Sequence, residues 1–354
     1  MSRFKLGFFT QVNGSPDQST AELYRQLTEV VVAAEQLGYE SVWVGQHHFG
    51  LGNGRLPSPL VLLAAIAERT TTIEIGTAIT PLPFEDPVRL AEDAAVLDEL
   101  SGGRVNLGVG AGGGDFGAWE AFGLDVDSRR TIFEDKLRKL HALTAGEPIV
   151  DGDEPIRLFP EPKGLRDRIW QSAGTVERAA AIAADGDGLL IGAFWDHPLH
   201  QQRAQVDAYL KQWAVSHGAS GREPRVGVLR FTYLGADRES IERQLDAELT
   251  AFRRDFVHVH RPALEPLSTT EYLRQVIRYG NTGDIISDLR EDPALLDVAT
   301  HFLPTVGLFP AAGNTTPGAD LEIARLEHFA TEVAPALGWS PEGRRGGTAH
   351  ELVG

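Results

Sequence analysis

The chain has 354 residues and no cysteine, which excludes thiol nucleophiles, disulfides and thiolate metal sites. Its formal net charge of −17 argues against nucleic acid or an anionic membrane as the main partner, since both call for basic surfaces. With 42% hydrophobic residues it reads as an ordinary globular protein, long enough for a single α/β barrel or two smaller domains. No apolar signal region precedes Lys5 and no apolar span reaches about 18 residues, so the expectation is a soluble, cytoplasmic protein.

Lys5 to Gln11 is a short apolar run and is read as the first strand. Ser19 or Thr20 caps a helix that carries Leu23, Leu27, Val30, Val31, Ala34 and Leu37 at helical spacing and stops at Gly38. A second strand starts at Ser41 and runs into Gln46-His47-His48-Phe49. Pro59 to Arg69 is the next helix, and Ile73 to Thr80 the third strand. Asp86 caps a helix with Pro87 in its first position, and Val105 to Gly110 is the fourth strand. Strand and helix alternate strictly, the signature of consecutive βαβ units on a parallel sheet. Arg168 to Ser172, Gly188 to Ala193, Arg225 to Leu234 and Asp297 to Leu303 supply four more strands. The whole fits a (β/α)8 TIM barrel over residues 1–340. A doubly wound sheet is the competitor, but Gln11-Val12-Asn13-Gly14 is no dinucleotide fingerprint. Two intervals are long. Thr131 to Pro162 predicts an extra excursion, and Arg254 to Gly283 an insertion at the barrel's C-terminal face, read as a lid. Ala319 to Ala336 is the closing helix, and 341–354 a flexible tail.

The active site of such a barrel collects at the carboxyl ends of its strands. Those ends are poor in carboxylates and rich in small and aromatic residues, which suits a flat hydrogen-bonding ligand better than a metal. Strand alternation puts His47 on the face of Trp43 and Gly45 and turns His48 away, so the pair is a weak metal site. Ser172-Ala173-Gly174-Thr175 leads into a helix over Val176 to Ala184, whose N-terminal N–H groups and hydroxyl suit a phosphate; an ordinary N-cap by Thr175 is compatible with that. Gly108 to Gly114 allows close backbone approach to a ligand. Arg129 or Arg130 starts the following helix within reach of the same phosphate.

The order of several short motifs resembles the bacterial luciferase-like family of flavin-dependent monooxygenases. They are Ala34-Glu35-Gln36-Leu37-Gly38-Tyr39, His47-His48-Phe49, Ser58-Pro59-Leu60, Arg69-Thr70, Ile75-Gly76-Thr77, Asp86-Pro87-Val88-Arg89-Leu90-Ala91-Glu92 and Leu97-Asp98-Glu99-Leu100-Ser101-Gly102-Gly103-Arg104. The resemblance implies a homodimeric luciferase-like barrel. It takes reduced FMN from a separate flavin reductase and uses O2 to oxygenate a small organic substrate. It implies that His47 acts in the oxygen chemistry of the flavin, with His48 beside it. It places the isoalloxazine by Thr77, Ala78 and Ile79, with a cis peptide at Ala78-Ile79; Gly110 and Trp195 are further cofactor-binding candidates, and Trp195 with Phe194 is expected to wall the substrate space. The phosphate falls to Arg130, Gly174 and Thr175. The chain departs from the family at Gln46, where a glutamate is usual, at Ala111, where luciferase has a phosphate-contacting arginine, and at Gly110, where luciferase has a cysteine. Leu229 and Phe231 replace an Arg/His pair of alkanesulfonate monooxygenases, so neither aldehyde luminescence nor desulfonation is expected. A hydride-transfer enzyme using the deazaflavin coenzyme F420 and a non-catalytic flavin-binding protein are the alternatives.

Overall fold

The structure, a computed structural model, describes residues 4–14, 18–50, 54–113, 116–192, 199–252, 268–305 and 318–341. Its parallel strands are β1 (Lys5–Thr10), β2 (Ser41–Val44), β3 (Glu74–Thr77), β4 (Val105–Gly110), β5 (Ile169–Ser172), β6 (Gly188–Gly192), β7 (Val226–Leu234) and β8 (His301–Thr305). Each pairs with the next, and β8 returns to β1 at Lys5 and Leu6, which closes the ring into a (β/α)8 barrel. Around it lie α1 (Thr20–Leu37), α2 (Pro59–Ala67), α3 (Pro87–Ser101), α4 (Arg129–Thr144), α5 (Val176–Asp185), α6 (Leu199–His217), α7 (Thr282–Arg290) and α8 (Ala319–His328).

Local chemistry sets the ends of these helices. The Ser19 hydroxyl accepts from the N–H of Glu22 to start α1, and Gly38 ends it in the left-handed region at φ 91°. Asp86 accepts from Val88 and Arg89 ahead of α3, with Pro87 in the first position. The strands then split their side chains between two cores. Leu6, Phe8, Val42, Val44, Ile75, Leu107 and Val109 pack outward against the helices, while Phe9, Trp43, Trp170, Leu190, Leu229 and Leu303 fill the interior. Trp43 and Trp170 meet edge to face at 5.3 Å inside the barrel. Burying one such large side chain stabilises by roughly 2–3 kcal/mol.

Several of the motif residues are seams of this fold. The Glu35 carboxylate accepts from the N–H groups of Thr71, Thr72 and Ile73 and from the Thr72 hydroxyl, which fixes the entry to β3. Arg104 donates to the carbonyls of Ala67, Thr70, Ile73 and Ser101, tying the end of α2 to the end of α3. Asp98 takes a two-pronged grip from Arg168 at 2.5 and 2.8 Å, joining α3 to the start of β5.

Three boundaries differ from expectation. β3 stops at Thr77 rather than Thr80; the Ala78–Ile79 peptide is cis, as the resemblance implied, and Thr80–Pro81 then pairs separately with Val109 and Gly110 of β4. β8 begins at His301 rather than Asp297, because Asp292 anchors a turn: its carboxylate accepts from Ala294, and Ala299 closes back on the Leu295 carbonyl at 2.9 Å. It also runs on through Pro304, which pairs with Arg230. The interval expected to be a lid ends in regular structure. A capping box at Ser268 and Glu271 starts the helix Thr269–Val276, and Ile277–Gly280 runs parallel to Phe231–Leu234 of β7. Phe231 is paired to Thr305 on one edge, so Ile277 occupies the other, beyond the point where β6 ends at Gly192. That segment extends the barrel wall. Residues 254–267 of the interval and 342–354 of the tail lie outside the described residues. Among the described residues no helix is long and apolar enough to cross a membrane.

Candidate active site

Beyond Val44 the strand direction of β2 continues into Gly45-Gln46-His47-His48, and its alternation holds. Gly45 faces the interior: a Cβ built there would stand 3.5 Å from His47 Nε2 and 3.6 Å from Phe9 Cζ and Gln11 Cα. The His47 imidazole therefore folds back over Gly45 toward the end of β1. Its backbone N–H donates to the Leu56 carbonyl at 3.0 Å, and Gly54 bridges to Asn13, so the returning loop lies on the ring. A Cβ at Gly54 would fall 2.5 Å from both Cβ and Cδ2 of His47. Only glycine permits that approach. The chain then turns through the left-handed region at Phe49 (φ 58°) and Gly50 (φ 69°).

His48 points the other way, into a buried site outside the barrel. Its ring meets Phe122 at 4.9 Å and Phe84 at 5.6 Å, both edge to face, and Phe84 packs on Trp119 at 4.7 Å. Gln46, on the same side, sets its Nε2 3.0 Å from His48 Nε2 and donates to Glu85 Oε1 at 2.7 Å. A carboxylate thus stands beside the pair even though residue 46 carries none. It comes from the loop before α3, which Lys136 of α4 holds by donating to the Pro83 and Glu85 carbonyls at 2.6 Å each.

Across the barrel mouth, Ile79, Gly110 and Ser172 come together. A Cβ on Gly110 would stand 2.7 Å from Ser172 Oγ and 3.0 Å from Ile79 Cδ1. Ser172 is exposed although it ends a barrel strand, so it opens into the mouth rather than into the core. Three residues on, Thr175 caps α5 by accepting from the Arg178 N–H at 3.2 Å, leaving the first turn's N–H groups facing outward. The Arg178 guanidinium stacks over Phe133 of α4 at 5.1 Å and donates to Gln171. Burial holds it below its usual range, and the positive charge of Arg130 pushes the same way. The exposed Ser172 and the capped N-terminus of α5 stand together at the mouth, a polar corner that suits an anion, while the Arg178 charge is engaged by Gln171 and by the nearby Asp185, Glu134 and Asp187. The chemistry of that corner, a hydroxyl and helix N-terminal N–H groups, suits a phosphate.

Of the residues expected at a cofactor, Ala78, Ile79, Gly110, Gly174, Thr175 and Arg130 are brought to this end of the barrel. Thr77 is not at the mouth. Its side chain is fully buried, and its hydroxyl donates to the Gly108 carbonyl at 2.7 Å while accepting from the Gly108 N–H at 3.0 Å. It pins β3 to β4 beneath the site. Trp195, with Phe194, lies outside the described residues. Arg178 and Glu85 were not singled out in the sequence. Only Arg178 had a sequence signal, being three residues after a capping threonine.

The family model for luciferase-like monooxygenases matches residues 4–294, and the chain belongs to that family. It is similar to the 4-hydroxyprotoasukamycin monooxygenase of Streptomyces nodosus subsp. asukaensis, 33% identical over 235 residues, which cover 62% of this chain. The match spans 61% of that relative, less than two thirds of its length. The oxygenase component of the flavin-dependent trigonelline monooxygenase of Acinetobacter baylyi is 24% identical over 375 residues, covering 98% of each chain. Among solved structures, the fold matches the oxygenating constituent of 3,6-diketocamphane monooxygenase from Pseudomonas putida in complex with FMN, at TM-score 0.72, 16% identity, and 94% and 98% coverage of the two chains. It also matches an F420-dependent secondary alcohol dehydrogenase at TM-score 0.65, 19% identity, and 95% and 99% coverage.

Proposed function

We propose that the chain is a flavin-dependent monooxygenase that uses reduced FMN and O2 to oxygenate a small, uncharged organic substrate. The observation that carries the reading is the pairing, at one end of the barrel, of an inward-facing histidine with an anion corner. His47 lies over Gly45, and Thr175, three residues after the exposed Ser172, caps α5, with Arg130 at the start of α4 as the cation for the corner. Bound reduced flavin supplies the electrons that activate O2. Arg130, the Thr175 hydroxyl and the first N–H groups of α5 hold its phosphate. Ile79 and Gly110 bound the ring, and His47 holds or passes the proton that oxygen reduction consumes. Leu229 and Phe231, apolar where the alkanesulfonate monooxygenases carry an Arg/His pair, favour an uncharged substrate over a sulfonate. The trigonelline relative is named an oxygenase component, which supports supply of reduced flavin by a separate reductase.

A second reading, hydride transfer from a deazaflavin, is favoured by the likeness to the alcohol dehydrogenase. Titrating the purified protein with FMN and with the deazaflavin separates the two. Tight binding of FMN alone and O2 consumption with reduced FMN support the monooxygenase. Exclusive binding of the deazaflavin, without O2 consumption, overturns it. His47→Ala is expected to retain FMN binding and lose substrate oxygenation; full oxygenation would remove His47 from the chemistry.

A further inference from the structure

We propose that Glu85 is a positioning residue that, acting through the Gln46 amide, fixes which ring nitrogen of His48 carries the proton. The Glu85 carboxylate can only accept hydrogen bonds, so the group of Gln46 that lies 2.7 Å from it is the NH2 and not the carbonyl. Amide orientation is ordinarily an assignment, but here the neighbouring carboxylate decides it. The NH2 has one further hydrogen. His48 Nε2 stands 3.0 Å from the same nitrogen and must receive that hydrogen on a lone pair. An Nε2–H would set donor against donor in a buried site. The neutral His48 ring is therefore protonated at Nδ1, the reverse of what an acceptor at residue 46 would select.

Each link is held by a different element. Lys136 of α4 clamps the carbonyls of Pro83 and Glu85 and so aims the carboxylate. Gln46 and His48 share the outward face of one extended segment, and both are buried. Phe84 and Phe122, stacked on each other at 5.0 Å, both meet the imidazole edge to face and pack it from one side. A glutamate at position 46 would accept from Nε2–H and would sit against Glu85 as a second carboxylate. The glutamine avoids that repulsion and inverts the tautomer. The consequence for catalysis rests on the flavin reading: His48 is then a fixed neutral neighbour, and proton handling is left to His47. The tautomer itself does not rest on that reading.

The test is nitrogen NMR of the flavin-free full chain labelled in histidine, with His48 assigned by comparison with His48→Gln. The expected wild-type spectrum shows Nδ1 protonated and Nε2 unprotonated. In Glu85→Gln the amide is free to turn its oxygen toward the ring, and part of the population moves to Nε2–H. Gln46→Glu is expected to move it entirely, and serves if Glu85→Gln fails to fold. Nε2–H in the wild type, or the same tautomer in all folded variants, overturns the proposal. Because the readout needs no flavin, failure of the cofactor assignment and failure of this one are told apart.

Discussion

A methyl group added at Gly54 would stand 2.5 Å from Cδ2 of the His47 ring and 2.5 Å from its Cβ, with the Leu56 carbonyl already holding the His47 backbone. The ring is the more mobile partner and would be displaced across the mouth. A shift of about 1 Å in a group that must meet a reacting atom costs up to roughly a hundredfold in rate. Gly54→Ala is therefore expected to lower reduced-flavin-dependent turnover by about ten- to a hundredfold. FMN affinity should change little, since the proposed phosphate corner is drawn from α4 and α5. Turnover and flavin fluorescence titration check the two halves, and unchanged turnover would show that His47 does not depend on this contact. The Gly110 position differs in kind. There an added Cβ would press on Ser172 and Ile79, which bound the proposed ring space, so Gly110→Ala is expected to weaken binding of FMN and of riboflavin alike.

At the level of the element, α5 has two duties that can be separated. Thr175 is its N-cap, and loss of such a cap costs about 1 kcal/mol of stability. In the proposed site the same hydroxyl meets the phosphate. Thr175→Ala should lower both thermal stability and FMN affinity, whereas Thr175→Ser should preserve both. Arg130→Ala is exposed and caps nothing, so it should lower FMN affinity by about tenfold with no change in melting temperature, and leave riboflavin affinity unaltered. Equal losses for riboflavin and FMN would take the phosphate away from this corner. Caps of this kind were legible in the sequence because they are local: Ser19, Asp86-Pro87 and Thr175 each act within three residues of themselves. The start of β8 was not, because the apolar stretch after Asp292 does not show where the strand begins and the turn that Asp292 anchors delays it. The motifs that carry the family resemblance were legible, but Glu35, Asp98 and Arg104 in them stitch seams rather than touch the mouth. Glu85 reaches Gln46 from 39 residues away, and no local pattern announces such a meeting.

Across the whole molecule, the barrel's interior is closed at its amino end by a polar layer, and this layer makes stability depend on pH. Lys5 pairs with Glu74 at 2.5 Å, Asn106 donates to Glu74 at 2.9 Å, and Trp170 donates to Asn106 at 2.9 Å. His301 completes the layer, edge to face with Trp170 at 4.9 Å and bonded through Nδ1 to the Thr300 hydroxyl. Burial lowers its pKa to about 4 against the attraction of Glu74, with Lys5 and Arg225 pushing the same way as burial. The unfolded chain binds a proton at His301 near its ordinary 6.5, and the folded chain only near 4. Between those values the unfolded state holds more protons, so stability rises with pH through the window and is complete above it. The full span is roughly 3 kcal/mol for this one group. On the barrel's outer side, Arg230 and Asp292 form a fully buried pair at 2.6 and 3.0 Å, with Arg278 of the added wall strand 3.7 Å away. Truncating one partner leaves the other charge buried, so Arg230→Ala should cost about 3–5 kcal/mol at any pH near neutral. The two effects are distinguishable by their pH dependence. Urea unfolding of His301→Gln at about pH 4.5 and about pH 7.5 should show a smaller difference between the two than the wild type shows. A wild-type difference that survives the substitution would move the acid sensitivity to the carboxylates of the same layer, Glu74 first among them.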